Sequence, residues 1–278
     1  MHKALVLLER IEKDSTPHQK YEKLALAKAL VYSASNLRFG PEVGVGTVRL
    51  DAPVVKAWIK EVTSMAGDLR RVASLADVPS DVLHADALQL THLLEPSSID
   101  AFITSPPYSN EKDYTRTTRL ESVFMGFIKT KEALRALKHN LVRSNTRSVY
   151  KEDDDDRWIA DHEEIQAIAD RIENRRIELE KTSGFERLYA RVTRLYFGGM
   201  ARHLHDLRAV LRPGAHLAYV VGDQASYLRV MIRTGELLAN IAVSLGYELV
   251  GIDLFRTRLA TATREQLREE VVVLRWPG

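Results

Sequence analysis

The residues best suited to do chemistry are Ser105, Pro106, Pro107 and Tyr108, which follow the apolar run "IDAFIT" at 99–104. Two adjacent prolines fix two φ angles and give up two backbone donors, and the residue before each is held extended. Their carbonyls have no competing ladder partner and can face a ligand. Ser105 adds a hydroxyl and Tyr108 a ring. A stiff, acceptor-rich turn beside an aromatic face suits a planar group with an NH₂ edge, with the acceptors holding the amine and the ring stacking on the plane. The plainer reading is a rigid connector with a buried tyrosine.

Such a turn must be held by a strand. "SIDAFITS" (98–105) has the length and Ile/Phe content of a buried strand, and "SDVLHADAL" (80–88) is a second short strand candidate upstream. Neither alternates cleanly, as expected of a sheet covered on both faces. Helical spacing over 18–38 ends at Gly40-Pro41, and Asp51 is placed to cap a helix over about 53–73, with Pro53 in its first turn. Residues 118 to about 180 read as polar helix, and 185–210 as an amphipathic helix. "AHLAYVVGD" (215–223) then reads as a strand, 235–246 as a helix, and 247–255 and 269–276 as strands. This alternation predicts an α/β doubly wound sheet, with ligands at the carboxyl ends of its strands. The expected organisation is N-terminal helices and the first part of the core over 1–117, a helical insertion over 118–184, and the remaining core over 185–278.

Bulk properties exclude several classes. The chain has no Cys, which removes disulfides, thiolate nucleophiles and cysteine-ligated metals. No metal site is expected. The opening "MHKALVLLERIEKDS" is too short and too quickly charged for a secretory or membrane segment, so a cytoplasmic location is the default. Net charge is only +2. Its distribution is less even: "LVRSNTRSVYK" (141–151) carries Arg143, Arg147 and Lys151 with no acid and runs straight into "EDDDD". These three suit phosphate contact in a mobile recognition element, or simply a solvated loop.

Ser-Pro-Pro-Tyr after an apolar strand resembles the catalytic motif of the S-adenosylmethionine-dependent amino-DNA methyltransferases, which methylate N4 of cytosine or N6 of adenine. Serine in the first position most resembles the N4-cytosine enzymes. "VLHADAL" resembles the segment whose acid lies beside the cofactor's adenine end, and "LRPGAHLAYVVGD" (211–223) the helix-turn-strand after the catalytic loop. The resemblance implies a Rossmann-like methyltransferase sheet, S-adenosylmethionine as cofactor and double-stranded DNA as partner. Ser105, Pro106, Pro107 and Tyr108 would be catalytic, with Ser105 and the Pro106 carbonyl holding the exocyclic amine and Tyr108 stacking on a flipped base. Asp86, Ala87, Ser105, Gly222 and Asp223 would face the cofactor. Asn110, Tyr114 and Arg116 of the same loop are DNA-facing candidates, and Arg256 and Arg258 are candidates to flank the cleft.

The family's glycine-rich loop of Asp-Pro-Phe-x-Gly-x-Gly type is not found. The nearest text is "FGPEVGVGT" (39–47), which follows a helix rather than an apolar strand. Three explanations stay open: a divergent segment such as 39–47, a loop from a complementary methyltransferase subunit, or loss of cofactor binding. The leading reading is a cytosine-N4 DNA methyltransferase of a restriction–modification or epigenetic system. An adenine-N6 enzyme and a non-catalytic DNA-binding or split-enzyme subunit are the alternatives. A homodimer is left open, since the long helices of 118–210 offer room for an interface.

Overall fold

In a computed structural model, residues 1–14, 16–39, 43–260 and 265–278 are described. The chain divides into two compact units, Met1–Val82 with Tyr114–Lys138, and Leu83–Asp113 with His139–Gly278.

The first unit holds helices α1 (His2–Asp14) and α2 (Gln19–Ala29), a π-type turn at Leu30–Ala34, and an antiparallel pair β1 (Leu37–Phe39) and β2 (Val43–Val45). It continues with α3 (Val54–Arg71), α4 (Tyr114–Thr117), α5 (Arg119–Phe124) and most of α6 (Lys131–His139). Ala4, Ile11, Leu26, Leu30 and Val54 form its core, with Trp58, Leu120 and Phe124 against it. The Trp58 indole donates to the Glu22 carbonyl at 3.0 Å. Pro53, rather than Asp51, is the residue preceding α3, and Asp51 forms an exposed ion pair with Lys3. The expected stop at Gly40-Pro41 lies outside the described residues.

The second unit is the α/β part. Its elements are β3 (Ile99–Thr104), α7 (Glu163–Glu178), α8 (Tyr189–Leu207), β4 (Leu211–Gly222), α9 (Thr234–Ser244), β5 (Glu248–Leu259) and β6 (Gln266–Arg275). The sheet is mixed, in the order β3-β4-β6-β5. β3 runs parallel to β4, while β6 is antiparallel to both β4 and β5. Successive strand residues point to opposite faces. On one face Leu217, Tyr219 and Val221 of β4, and Val272 and Leu274 of β6, are fully buried with Ile165, Ile172, Phe197, Leu204, Leu237 and Ile241 of the helices. α8 and α9 both lie on this face: His203 packs against Phe102 and Tyr219, and Gly235 sits against Val272. On the opposite face Ala218, Val220, Val271 and Val273 are only half-buried, and Ile103 is 81% exposed.

Two expectations are corrected. Residues 80–88 form no strand but irregular coil ending in a turn, with Val82 99% and Leu83 53% exposed. An apolar run becomes a strand only against a ladder, and no described strand offers it one. The 98–105 segment is a strand, but an edge strand, paired among the described residues with β4 alone. No helix is long and apolar enough to cross a membrane among the described residues.

Candidate active site

β3 delivers Ser105, Pro106, Pro107 and Tyr108 to the carboxyl end of the sheet, beside the carboxyl end of its parallel neighbour β4. Ser105 is exposed, and Pro106, Pro107 and Tyr108 are half-buried. The Tyr108 ring lies on Gly222, the last residue of β4, so closely that a Cβ there would stand 2.8 Å from Cε2 and 3.3 Å from Cδ2. Glycine is needed here for the approach of a ring, not for backbone freedom.

Register sets a row of charge beside this ring. Gly222 pairs with Glu269 of β6, and Glu269 pairs with Arg256 of β5. The Glu269 carboxylate forms an ion pair with the Arg256 guanidinium and lies 3.8 Å from that of Arg258. Glu269 is buried, and its bond to Arg256 raises the arginine's pKa above its ordinary value. Tyr108, Gly222, Arg256 and Arg258 are thus brought together. Glu269, which joins them, carried no motif signal and was missed; a buried acid alternating with arginines across a hairpin was the available clue.

The loop after Tyr108 is tied down. The Tyr108 carbonyl accepts from Asn110 N at 2.9 Å, and the Asn110 side chain accepts from Lys112 N at 3.3 Å. Glu111 adopts φ +66°, and its carboxylate accepts from Thr146 N at 2.9 Å and Thr146 Oγ1 at 2.8 Å. Non-glycine residues in this region are held by their surroundings. Ser109 Oγ is 3.5 Å from Tyr227 Oη, which donates to the Ser144 carbonyl at 3.3 Å. Burial pushes the Tyr227 phenol far up, so it stays a donor.

The basic run is thereby part of the scaffold under the loop. Arg143 is buried and grips Asp153 through two bonds of 2.8 Å, with His139 O accepting at 3.0 Å and the Tyr150 ring 5.2 Å away. Arg147 is exposed and lies over Phe185, and Lys151 is exposed. The acid run is largely consumed internally: Asp153 by Arg143, Asp154 by Arg157 and Asp155 by Arg202. Tyr114 and Arg116 stand on α4 in the first unit, where Arg116 donates to the Val43 carbonyl.

Three of the five residues expected to face a cofactor, Asp86, Ala87 and Asp223, make internal bonds. The Asp86 carboxylate accepts from its own Leu88 N at 2.9 Å in an Asx turn. The Ala87 carbonyl accepts from His203 Nδ1 at 2.8 Å, which fixes the tautomer so that Nε2 accepts from Tyr219 Oη at 2.9 Å. Burial lowers the His203 pKa and keeps the ring neutral. The fully buried Asp223 side chain accepts from Arg233 at 2.6 Å and from Arg268 Nε at 3.0 Å, joining the ends of β4, β6 and α9. Within "FGPEVGVGT", Val43–Val45 is strand β2, Gly46 bonds to Asn36, and residues 40–42 lie outside the described residues. No group of three or more acidic, His or Cys side chains suited to a metal occurs among the described residues.

No family model matches the chain. It is 28% identical over 207 residues to the type II methyltransferase M.AvaI of Nostoc sp., covering 71% of this chain and 42% of that protein. It is 24% identical over 254 residues to the type II methyltransferase M.BsoBI of Geobacillus stearothermophilus, covering 81% of this chain and 47% of that protein. Among solved structures, a protein of Thermus thermophilus described as a DNA modification methylase aligns with a TM-score of 0.33 at 14% identity over 70% of this chain and 51% of that one. The chain is thus similar in sequence to type II methyltransferases over most of its own length, and spans about half the length of these curated relatives.

Proposed function

We propose that the chain is the base-handling part of a DNA methyltransferase acting on N4 of cytosine in duplex DNA, in a restriction–modification setting. The observation that carries this reading is the rigid Ser-Pro-Pro-Tyr turn at a strand's carboxyl end, with its ring set on Gly222 and cations of β5 beside it. In this reading Ser105 Oγ and the Pro106 carbonyl accept the two hydrogens of an exocyclic amine. That leaves the nitrogen lone pair directed out of the base plane, so the residues work by position rather than by covalent attachment. Tyr108 stacks on the base once it has left the duplex, and Arg256 and Arg258 approach the phosphates flanking it. The expected methyl donor, S-adenosylmethionine, supplies an electrophilic methyl group on a sulfonium.

Among the described residues no glycine-rich cradle follows an apolar strand, and the Ala87 carbonyl is used by His203, whereas Asp223 Oδ1 is buried without a hydrogen-bond partner and only Oδ1 of Asp86 is used, by Leu88 N. The test is nucleoside mass analysis of duplex DNA incubated with S-adenosylmethionine and the chain, alone and with a complementary methyltransferase polypeptide. N4-methylcytosine that disappears with Ser105→Ala is expected. N6-methyladenine as the sole product would replace the cytosine reading with its adenine counterpart.

A further inference from the structure

β4 ends at Gly222 against the Tyr108 ring, and a pinched loop follows it before α9 begins. Ile232 N donates to the Gln224 carbonyl at 2.8 Å and Gln224 N to the Ile232 carbonyl at 3.2 Å, closing off residues 225–231. Inside the loop Leu228 and Arg229 adopt φ +54° and +65°, a region where two successive bulky side chains are strained. The surroundings hold them there. Tyr227 is fully buried, stacks on Tyr189 at 4.8 Å, and reaches Ser109 and the Ser144 carbonyl through its hydroxyl. Ser226 N donates to Gln224 Oε1 at 2.7 Å, and Arg175 Nε of α7 donates to the Leu228 carbonyl at 3.3 Å. All of this fixes the backbone. The side chain it holds outward, Arg229, is exposed and makes no ion pair or side-chain hydrogen bond among the described residues.

Arg229 lines an open groove of about 560 Å³. Arg175 and Lys181 bring two more cations to it, Tyr189 and Ser226 two hydroxyls, and Glu186 an acid. Lys181 lies 3.7 Å from Glu186, and Arg175 3.8 Å from Glu178. Pairs this loose at a surface hold little energy and yield to a stronger anion. The groove also opens beside the candidate site. Burial raises the pKa of the Tyr189 phenol, Glu111 and Glu186 add to the rise, and Arg147 opposes it, so Tyr189 stands near both the loop after Tyr108 and the exposed Arg147. Separated cations with hydroxyl donors between them match a run of phosphates better than a single one. We infer that this groove seats the sugar–phosphate backbone of duplex DNA, with Arg229 as its leading contact and Lys181, Ser226 and Tyr189 behind it, in addition to Arg256 and Arg258. Strain held in the free chain gives the guanidinium a fixed base, which lowers the ordering cost of binding. The choice of DNA as the polyanion rests on the methyltransferase reading, while the groove rests on the loop and its cations.

The experiment titrates the 278-residue chain against fluorescein-labelled duplexes of unrelated sequence, by anisotropy over a series of salt concentrations and without S-adenosylmethionine. Arg229→Ala should weaken binding on the order of tenfold, alike for every duplex. It should also reduce the slope of log Kd against log salt by about 0.9, the share of one phosphate contact. Adding Lys181→Gln should reduce the slope again, and Arg229→Lys should keep most of it. Arg229→Gly separates this role from a structural one. Glycine takes φ +65° without strain, so the melting temperature should hold or rise while affinity falls as with alanine. Overturning results are no duplex binding by the chain, an unchanged salt slope in both Arg229→Ala and Arg229→Gly, or a lowered melting temperature in Arg229→Gly. Duplex binding through Arg229 with no methylated base, alone or with the complementary polypeptide, sinks the reaction and keeps the groove. Ser105-dependent methylation with binding indifferent to Arg229 does the reverse.

Discussion

Replacing Gly222 by alanine probes the contact on which the candidate site is built. Gly222 does not use the left-handed region, so alanine meets no backbone penalty. Its Cβ would stand 2.8 Å from Tyr108 Cε2, whereas carbon atoms rest at about 3.5–4.0 Å. The ring must therefore retreat by roughly 1 Å, or β3 and β4 must part. Overpacking of this kind costs about 1–3 kcal/mol, which in a chain of this size lowers the melting temperature by about 2–4 °C per kcal/mol. A double-mutant cycle isolates the contact: in a Tyr108→Ala background the added methyl group has room, and its cost should fall to a few tenths of a kcal/mol. Turnover of the active assembly should drop on the order of 10²-fold from a 1 Å misplacement of the stacking ring. Equal melting shifts in the two backgrounds would refute the packing. Full turnover by Gly222→Ala, with the expected melting shift present, would refute the role given to Tyr108.

Three further outcomes follow from other contacts. Arg143→Ala leaves Asp153 buried without its guanidinium and should destabilise the second unit by about 3–5 kcal/mol, measured by urea unfolding, with faster exchange at 109–113. Gly198→Ala would drive a Cβ into the Asp155 carbonyl, so α8 and the 155–159 turn must separate; a melting drop larger than that of Gly222→Ala is expected. His203 is held neutral with its pKa below the ordinary 6.5, so the unfolded state binds the extra proton; stability is full above about pH 6.5 and falls as pH drops toward the folded value. His203→Asn should flatten that part of the pH–stability curve, and an unchanged slope would count against the assignment.

Much of the scaffold was legible because its signals are local. The strands at β4, β5 and β6 and the helices α3, α8 and α9 each appear within a few residues of their expected ends, since periodicity and Gly/Pro punctuation act over one element. The Ser105–Tyr108 turn and Gly222 were each placed at a strand end, while the contact of Tyr108 with Gly222 comes from the pairing of those strands. What escaped was set by distant partners. The buried grip of Arg143 on Asp153, the Glu111–Thr146 bonds and the His203 bridge from Ala87 to Tyr219 join residues ten to 116 positions apart, with no periodic trace. Residues 80–88 misled for the converse reason: strand character is a property of a neighbour as much as of a sequence, and here the neighbour is lacking among the described residues.

The bonds between the 109–113 loop and Thr146 also bear on how such a chain can diverge. The chain leaves the second unit at Asp113 and returns at His139, and on the second-unit side the two stems are clasped by Glu111 with Thr146 and by Lys112 with Asn145. Whatever the excursion between them becomes, its ends stay fixed. Doubling the length of such a loop costs only about 0.6 kcal/mol in closure entropy. Length changes at the exposed turn around Gly126 and Phe127 can therefore accumulate without disturbing Ser105 or Tyr108, whereas Leu120 and Phe124 stay tied to the core of the first unit. The clasp lets the turn at 105–108 stay constant while the exposed parts of this stretch are rewritten.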